Sequence, residues 1–292
     1  MARRTIAPAA GDSPEPKERS SERPPGPGRA SRRPGAPKRL ASVRPASSEE
    51  DPGASSPDIC LLRAVRASRP EERIRWAQTG LVLIRDSIDS DIRPLLTRQL
   101  YLAHIEKGEL AEAETVARDL VAMGLLPDIA HHDLSRLLAA RGDLEGAIRE
   151  QRLAARAAPA ERKSFHLWGL ATLQHFADDP DGALATLDKA LRCSVRDRAL
   201  LKAQAAYVRL EAGLPVRGLD GVLEGLRASK NREGYGQFLL GMIAHHMGDA
   251  PRAVVHLRAF LRRNAAADPA KELTLREELR RARRVLARLD SD

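Results

Sequence analysis

Eight histidines, two cysteines and a few acidic pairs are the side chains of this 292-residue chain that could carry chemistry. A zinc site needs ligands that converge on one point. His131-His132 and His245-His246 are adjacent pairs, so on a helix their rings diverge. No two histidines have the i, i+4 spacing of an HExxH helix, and no paired CxxC occurs. Cys60 and Cys193 stand far apart and read as small buried hydrophobes, not as a disulfide framework. Nucleophilic catalysis lacks an anchor too, since there is no GxSxG elbow. Gly234, Gly236 and Gly241 have the wrong spacing for a nucleotide loop, and no strand precedes them. Asp178-Asp179 reads as a helix cap. The chemistry to expect is therefore recognition: no catalytic residue, no cofactor, no metal and no small-molecule substrate.

Composition says what must position the recognising side chains. Aromatics make up 3% of the chain, while Ala, Leu and Arg recur throughout. These residues lose little conformational freedom in helices, which favours an all-α fold. No run approaches the roughly 18 apolar residues of a membrane span. No apolar segment follows Arg3 and Arg4, so a secretory signal is not expected. Asp12, Glu15, Glu18 and the early prolines argue against an amphipathic transit peptide. A cytoplasmic protein is the expectation.

The net charge of +9 is unevenly spread. Residues 1–48 hold eleven Lys and Arg against four Asp and Glu. Residues 1–57 are rich in Pro, Arg, Ser and Gly and poor in large apolar groups. Such a segment cannot offset its ordering entropy and is expected to be a disordered basic tail. From Asp58 onward, apolar residues recur at three- and four-residue spacing, broken by Gly, Asp or Pro. The spacing predicts helices over 58–68, 70–88, 94–107, 111–123, 128–140, 144–157, 162–176, 180–193, 197–211, 216–229, 233–247, 250–264 and 270–289.

Five stretches share one design: KGELAEA ending at Ala113, RGDLEGA at Ala147, DDPDGA at Ala183, AGLPVRG at Gly218 and MGDAPRA at Ala253. The closing residues are 34, 36, 35 and 35 positions apart. The turn residues Gly108, Gly142, Asp178, Gly213 and Gly248 keep the same intervals. A glycine permits a tight turn between antiparallel helices, and an acidic residue after it caps the next helix. The small residue one turn later lets two backbones approach. Gly218, Gly221 and Gly225 are read in the same way, as packing positions between repeats.

This pattern resembles the tetratricopeptide repeat, most clearly in GDLEGAIREQRLAARAAP with Gly142, Ala147, Ala154 and Pro159. Leu240-Gly241, Gly248-Asp249 and Ala253 also fit. The usual first-helix Trp is missing, and Asp178 stands where glycine is usual. Pentatricopeptide and Sel1-like repeats have similar lengths and remain alternatives. The resemblance implies a right-handed α-solenoid of antiparallel helix pairs. It covers about 94–267, with 58–93 a degenerate leading pair and 268–292 a capping helix built on Leu273, Leu275, Leu279, Val285, Leu286 and Leu289.

The resemblance also implies that the first helix of each pair lines a concave groove. Counted from 94, 128, 164, 199 and 234, the groove positions collect the aromatics Phe165, Trp168, Phe176, Tyr207, Tyr235 and Phe238. With them come Arg98, His132, Arg136, Thr172, His175, Met242, His245 and His246. Aromatic and Arg side chains dominate binding hot spots, and Met adapts to varied partners. Some of these aromatics would instead fill a tight interior. Asn231 and Asn264 lie outside the groove helices, so a Lys/Asn carboxylate clamp is not expected. The function expected is a non-catalytic interaction module or scaffold that binds a peptide or helix from another protein. The alternative is nucleic-acid association through the basic tail and the Arg280, Arg281, Arg283, Arg284 and Arg288 helix. The tail has no aromatic residue for base stacking, and such binding would be salt-dependent.

Overall fold

Turn chemistry decides where each helix stops. Gly108, Gly142, Gly213 and Gly248 adopt φ of 75°, 89°, 68° and 76°, the left-handed region open to glycine. Asp178, at the equivalent place, adopts φ 60° despite its side chain. The next helix is then capped by the following Asp in three repeats. Asp143 accepts from the Gly146 N–H at 2.8 Å, Asp179 from Gly182 at 2.8 Å and Asp249 from Arg252 at 3.1 Å.

This computed structural model describes residues 56–84, 91–194, 196–266 and 269–291. The expected basic tail, 1–57, lies outside the described residues except for its last two. Among the described residues there are fourteen helices and no strand. They are α1 (Pro57–Arg66), α2 (Pro70–Leu83), α3 (Ile92–Lys107), α4 (Leu110–Met123), α5 (Pro127–Arg141), α6 (Leu144–Ala157) and α7 (Ala160–Phe176). There follow α8 (Pro180–Cys193), α9 (Arg198–Glu211), α10 (Leu219–Ala228), α11 (Tyr235–His246), α12 (Ala250–Arg263), α13 (Pro269–Thr274) and α14 (Arg276–Leu289). From α1 to α12 each helix packs on the next, giving hairpins stacked as a right-handed solenoid. No helix among the described residues is long and apolar enough to cross a membrane.

The small residues act as the repeat pattern requires in four of the five copies. Ala113, Ala147, Ala183 and Ala253 are fully buried where paired helices meet. The fourth copy departs. Gly218 has φ 65° and precedes α10, so that helix starts at 219 and not 216. Side chains added at Gly221 or Gly225 would meet nothing within 4 Å, so neither is a packing position. Gly241 is one: a Cβ there would sit 2.6 Å from Leu257 of α12. Cys60 is buried as expected, whereas Cys193, at the end of α8, is exposed.

Polar contacts tie equivalent positions of successive repeats. Arg98 Nε donates to Asp133 at 3.1 Å, Arg162 Nε to Asp128 at 2.7 Å, and Asn231 to Asp197 at 3.1 Å. Burial of the apolar faces does most of the stabilising, at roughly 1.5–3 kcal/mol for each large side chain removed from water. The largest cluster lies at the C-terminal end, around Tyr207, Leu226, Phe238, Leu257 and Phe260. The single terminal helix expected at 270–289 is two helices, broken at Leu275. The break separates a six-residue helix that reaches back to α3 and α5 from one that packs on α11 and α12.

Candidate functional site

The first helices of the pairs, α3, α5, α7, α9 and α11, touch through side chains about one repeat apart and form the inner row of the solenoid. Aromatic contacts run along it. Phe165 meets His132 edge-on at 5.2 Å, Trp168 meets Tyr235 at 5.1 Å, and His175 meets Tyr207 at 4.8 Å. Tyr207 then meets Phe238 at 5.8 Å, and Phe238 meets Phe260 at 5.4 Å. Edge-on pairs at these distances add about 0.5–1.5 kcal/mol beyond area burial.

The C-terminal segment crosses this inner row. Arg136 of α5 donates to the Ala270 carbonyl and the Thr274 hydroxyl of α13, and Arg276 donates back to the Ala140 carbonyl at 2.6 Å. Farther along, Arg281 of α14 donates to the Tyr207 hydroxyl at 3.1 Å and to both oxygens of Glu211 at 2.7 and 2.9 Å. Its guanidinium lies 4.6 Å over the Phe176 ring. Burial works against charge on Glu211, but the 2.8 Å His175 contact and Arg281 outweigh it and hold that carboxyl at about 2. The Tyr235 hydroxyl donates to Glu278 Oε1 at 3.1 Å. Glu278 is 5% exposed, and burial pushes its carboxyl up to about 7, only partly offset by a backbone hydrogen bond and the Tyr235 hydroxyl.

These contacts sort the groove residues into two groups. Arg98, with 34% of its side chain exposed, and Phe165, 50% exposed, face solvent on α3 and α7. His132 sits beside Phe165, hydrogen-bonded to Gln151 at 2.9 Å. Burial lowers its imidazole to about 4, so it is neutral at pH 7. Arg136 is engaged by α13. Trp168 and Thr172 are half-buried, the Thr172 hydroxyl donating to the Trp168 carbonyl at 3.1 Å. Tyr235 is taken up by Glu278, and His245 is half-buried beside His246.

The other group is core. Tyr207 and Phe238 are fully buried, Met242 is 3% exposed and His175 is 6% exposed. The sequence places these four on an open groove. The structure corrects that: α7, α9 and α11 bring these side chains together and α14 lies against them, so all four leave water. The residues absent from the sequence reading are Glu211 and Glu278; Arg281 figures there only in the basic helix offered to nucleic acid, and the structure turns it to Tyr207 and Glu211. A signal for one of them existed, because Glu278 interrupts the apolar face formed by Leu275, Leu279, Ala282, Val285 and Leu286.

A cavity of about 480 Å³ remains beneath the α13–α14 corner. Its floor is made by α5 and α7, and its roof by Leu273 to Arg280.

Residues 129–150 and 165–189 match the tetratricopeptide-repeat sequence pattern, each spanning parts of one helical pair. These two segments are tetratricopeptide-repeat sequence. Solved structures have the same fold. A tetratricopeptide repeat protein from Parabacteroides merdae superposes with a TM-score of 0.54 at 13% identity, covering 80% of this chain and 92% of its own. Pseudomonas aeruginosa pilF gives 0.52 at 13% identity, covering 75% and 97%. At that identity the likeness is one of fold. Comparison with curated proteins finds no match. The tetratricopeptide repeat generally serves protein–protein interaction or scaffolding and is typically non-catalytic.

Proposed function

We propose that this tetratricopeptide-repeat chain is a non-catalytic interaction module that receives a peptide or helix of another protein on the inner face of α3, α5 and α7. The observation that carries this reading is Phe165. It is a large aromatic, half exposed, set beside neutral His132 and within the row that begins with Arg98. An exposed aromatic in a row that also holds a partly exposed guanidinium has the composition of a binding hot spot. The inner face of α9 and α11 has no such role, since α14 covers it.

The test is capture of a partner from the source cell by full-length protein, compared with Phe165→Ala and Arg98→Ala. Phe165→Ala should leave the unfolding temperature within a few degrees, whereas Arg98→Ala also removes the partner of buried Asp133 and lowers it; each should remove at least ten-fold of the captured partner. Undiminished capture by both variants would sink the proposal. A second reading rests on Arg283, Arg284 and Arg288, which are exposed on α14, whereas Arg280 and Arg281 are paired with Glu277 and Glu211. In that reading the captured material is nucleic acid, lost on nuclease treatment and with rising salt, and indifferent to Phe165.

A further inference from the structure

The 480 Å³ cleft under the α13–α14 corner is open to solvent on one side and falls among the volumes typical of small-molecule sites. The sequence creates the space. Ala139 and Ala140 on α5 and Thr172 on α7 present short side chains to it, while Trp168 and Leu273 supply apolar walls. The roof spans the gap without filling it, because the chain turns at Leu275 between two helices.

Charge around the cavity is unbalanced. Arg136, Arg276 and Arg280 line it on one side of the ledger, and Glu277 and Glu278 on the other. Glu277 is committed to Arg280 at 3.3 Å and to Arg281, and Glu278 is turned to the Tyr235 hydroxyl. Arg276 meets a backbone carbonyl, that of Ala140, whereas Arg136 meets another carbonyl and a hydroxyl and lies 3.9 Å from the buried Asp133 carboxylate. Arg276 at the edge of the apolar cleft thus keeps donor capacity for an anion, and Arg136 keeps its buried Nε–H without a partner.

We propose that this cavity is a binding site for a small anionic amphiphile, with an apolar body against Trp168 and Leu273 and a carboxylate-type head at Arg276 and Arg136. Such a ligand touches α5 and α7 below and the α13–α14 corner above. Binding therefore favours the state in which the C-terminal segment lies across the inner row, since it adds contacts to both sides. Phe165 and His132 also line this cleft, so the site adjoins the surface assigned to a protein partner, whereas Arg98 lies outside its lining.

Trp168 is a reporter inside the site. With Trp76→Phe in the full-length chain, it is the sole tryptophan, and its fluorescence is titrated with dodecanoate below micelle formation. Saturable one-to-one binding is expected, at least ten-fold tighter than that of dodecyltrimethylammonium. Arg276→Gln should weaken dodecanoate by about ten-fold. Ala140→Phe, which fills the chamber, should abolish binding, and Thr172→Leu provides a milder filling variant should Ala140→Phe misfold by circular dichroism. Equal binding by the cationic detergent, undiminished binding in a folded filling variant, or no saturable signal with dodecanoate would each overturn the assignment.

Discussion

Glu278 makes the docking of α14 pH-dependent. Its carboxyl is buried, faces the Tyr235 hydroxyl from α11, and has Glu277 and Arg281 as neighbours on its own helix. Burial raises it from 4.5 to about 7. The folded chain therefore keeps a proton that the unfolded chain releases between those two values. The Glu278 contribution is fully present below pH 4.5 and is lost as pH rises through 7. At about 1.4 kcal/mol per pH unit, the gap corresponds to about 3 kcal/mol as an upper bound. Glu278→Gln keeps the shape and an oxygen that accepts from Tyr235, but cannot ionise. Urea unfolding followed by circular dichroism, at pH 5 and pH 8, measures the difference between the two proteins. The variant should lie within about 1 kcal/mol of the wild type near pH 5 and exceed it by about 2–3 kcal/mol at pH 8. His132 moves the opposite way over part of this range, because its imidazole is lowered to about 4. That contribution is common to both proteins and cancels in the comparison. Parallel pH profiles for wild type and variant would refute the argument that Glu278 is buried as an acid.

Tyr207 yields a second prediction, directed at the core. Tyr207→Ala should cost about 3–5 kcal/mol, as large-to-small changes at fully buried aromatics do, whereas Tyr207→Phe should cost about 1 kcal/mol for the Arg281 hydrogen bond. An unchanged unfolding temperature for Tyr207→Ala would show that the ring is not buried. At the third turn, Asp178→Gly should raise stability by about 1 kcal/mol, since φ 60° strains a residue with a side chain. The mirror change Gly142→Ala, at φ 89°, should lower it by a similar amount, and chemical denaturation reads both.

Much of the solenoid was legible because it is written locally. A turn residue that tolerates positive φ, an Asp that caps the next helix and an alanine one turn later all act within about ten residues. Their recurrence every 34 to 36 positions carries the stacking with it. Even the departure at Asp178 was visible, and the backbone there turns left-handed as it does at the glycines. Gly218 was misread because its spacing mimics the small helical residue, while Pro215 three residues earlier delays the helix and leaves the glycine as its left-handed cap.

The inner face was only half legible. Position within a repeat says that a side chain points inward, but not whether water or protein awaits it there. For Phe165 it is half water, and for Arg98 a third. For Tyr207, Phe238 and Met242 it is the packed junction of α9, α11 and α14. What the sequence alone determined is the repeating hairpin, since its signals are short-range and each helix is amphipathic on its own terms. Only the tertiary structure decided where the terminal segment goes. Its contacts, Arg136 to Thr274 and Tyr207 to Arg281, join residues 138 and 74 positions apart. Such pairings follow from the curvature of the stacked helices, a sum of small rotations that no local pattern specifies.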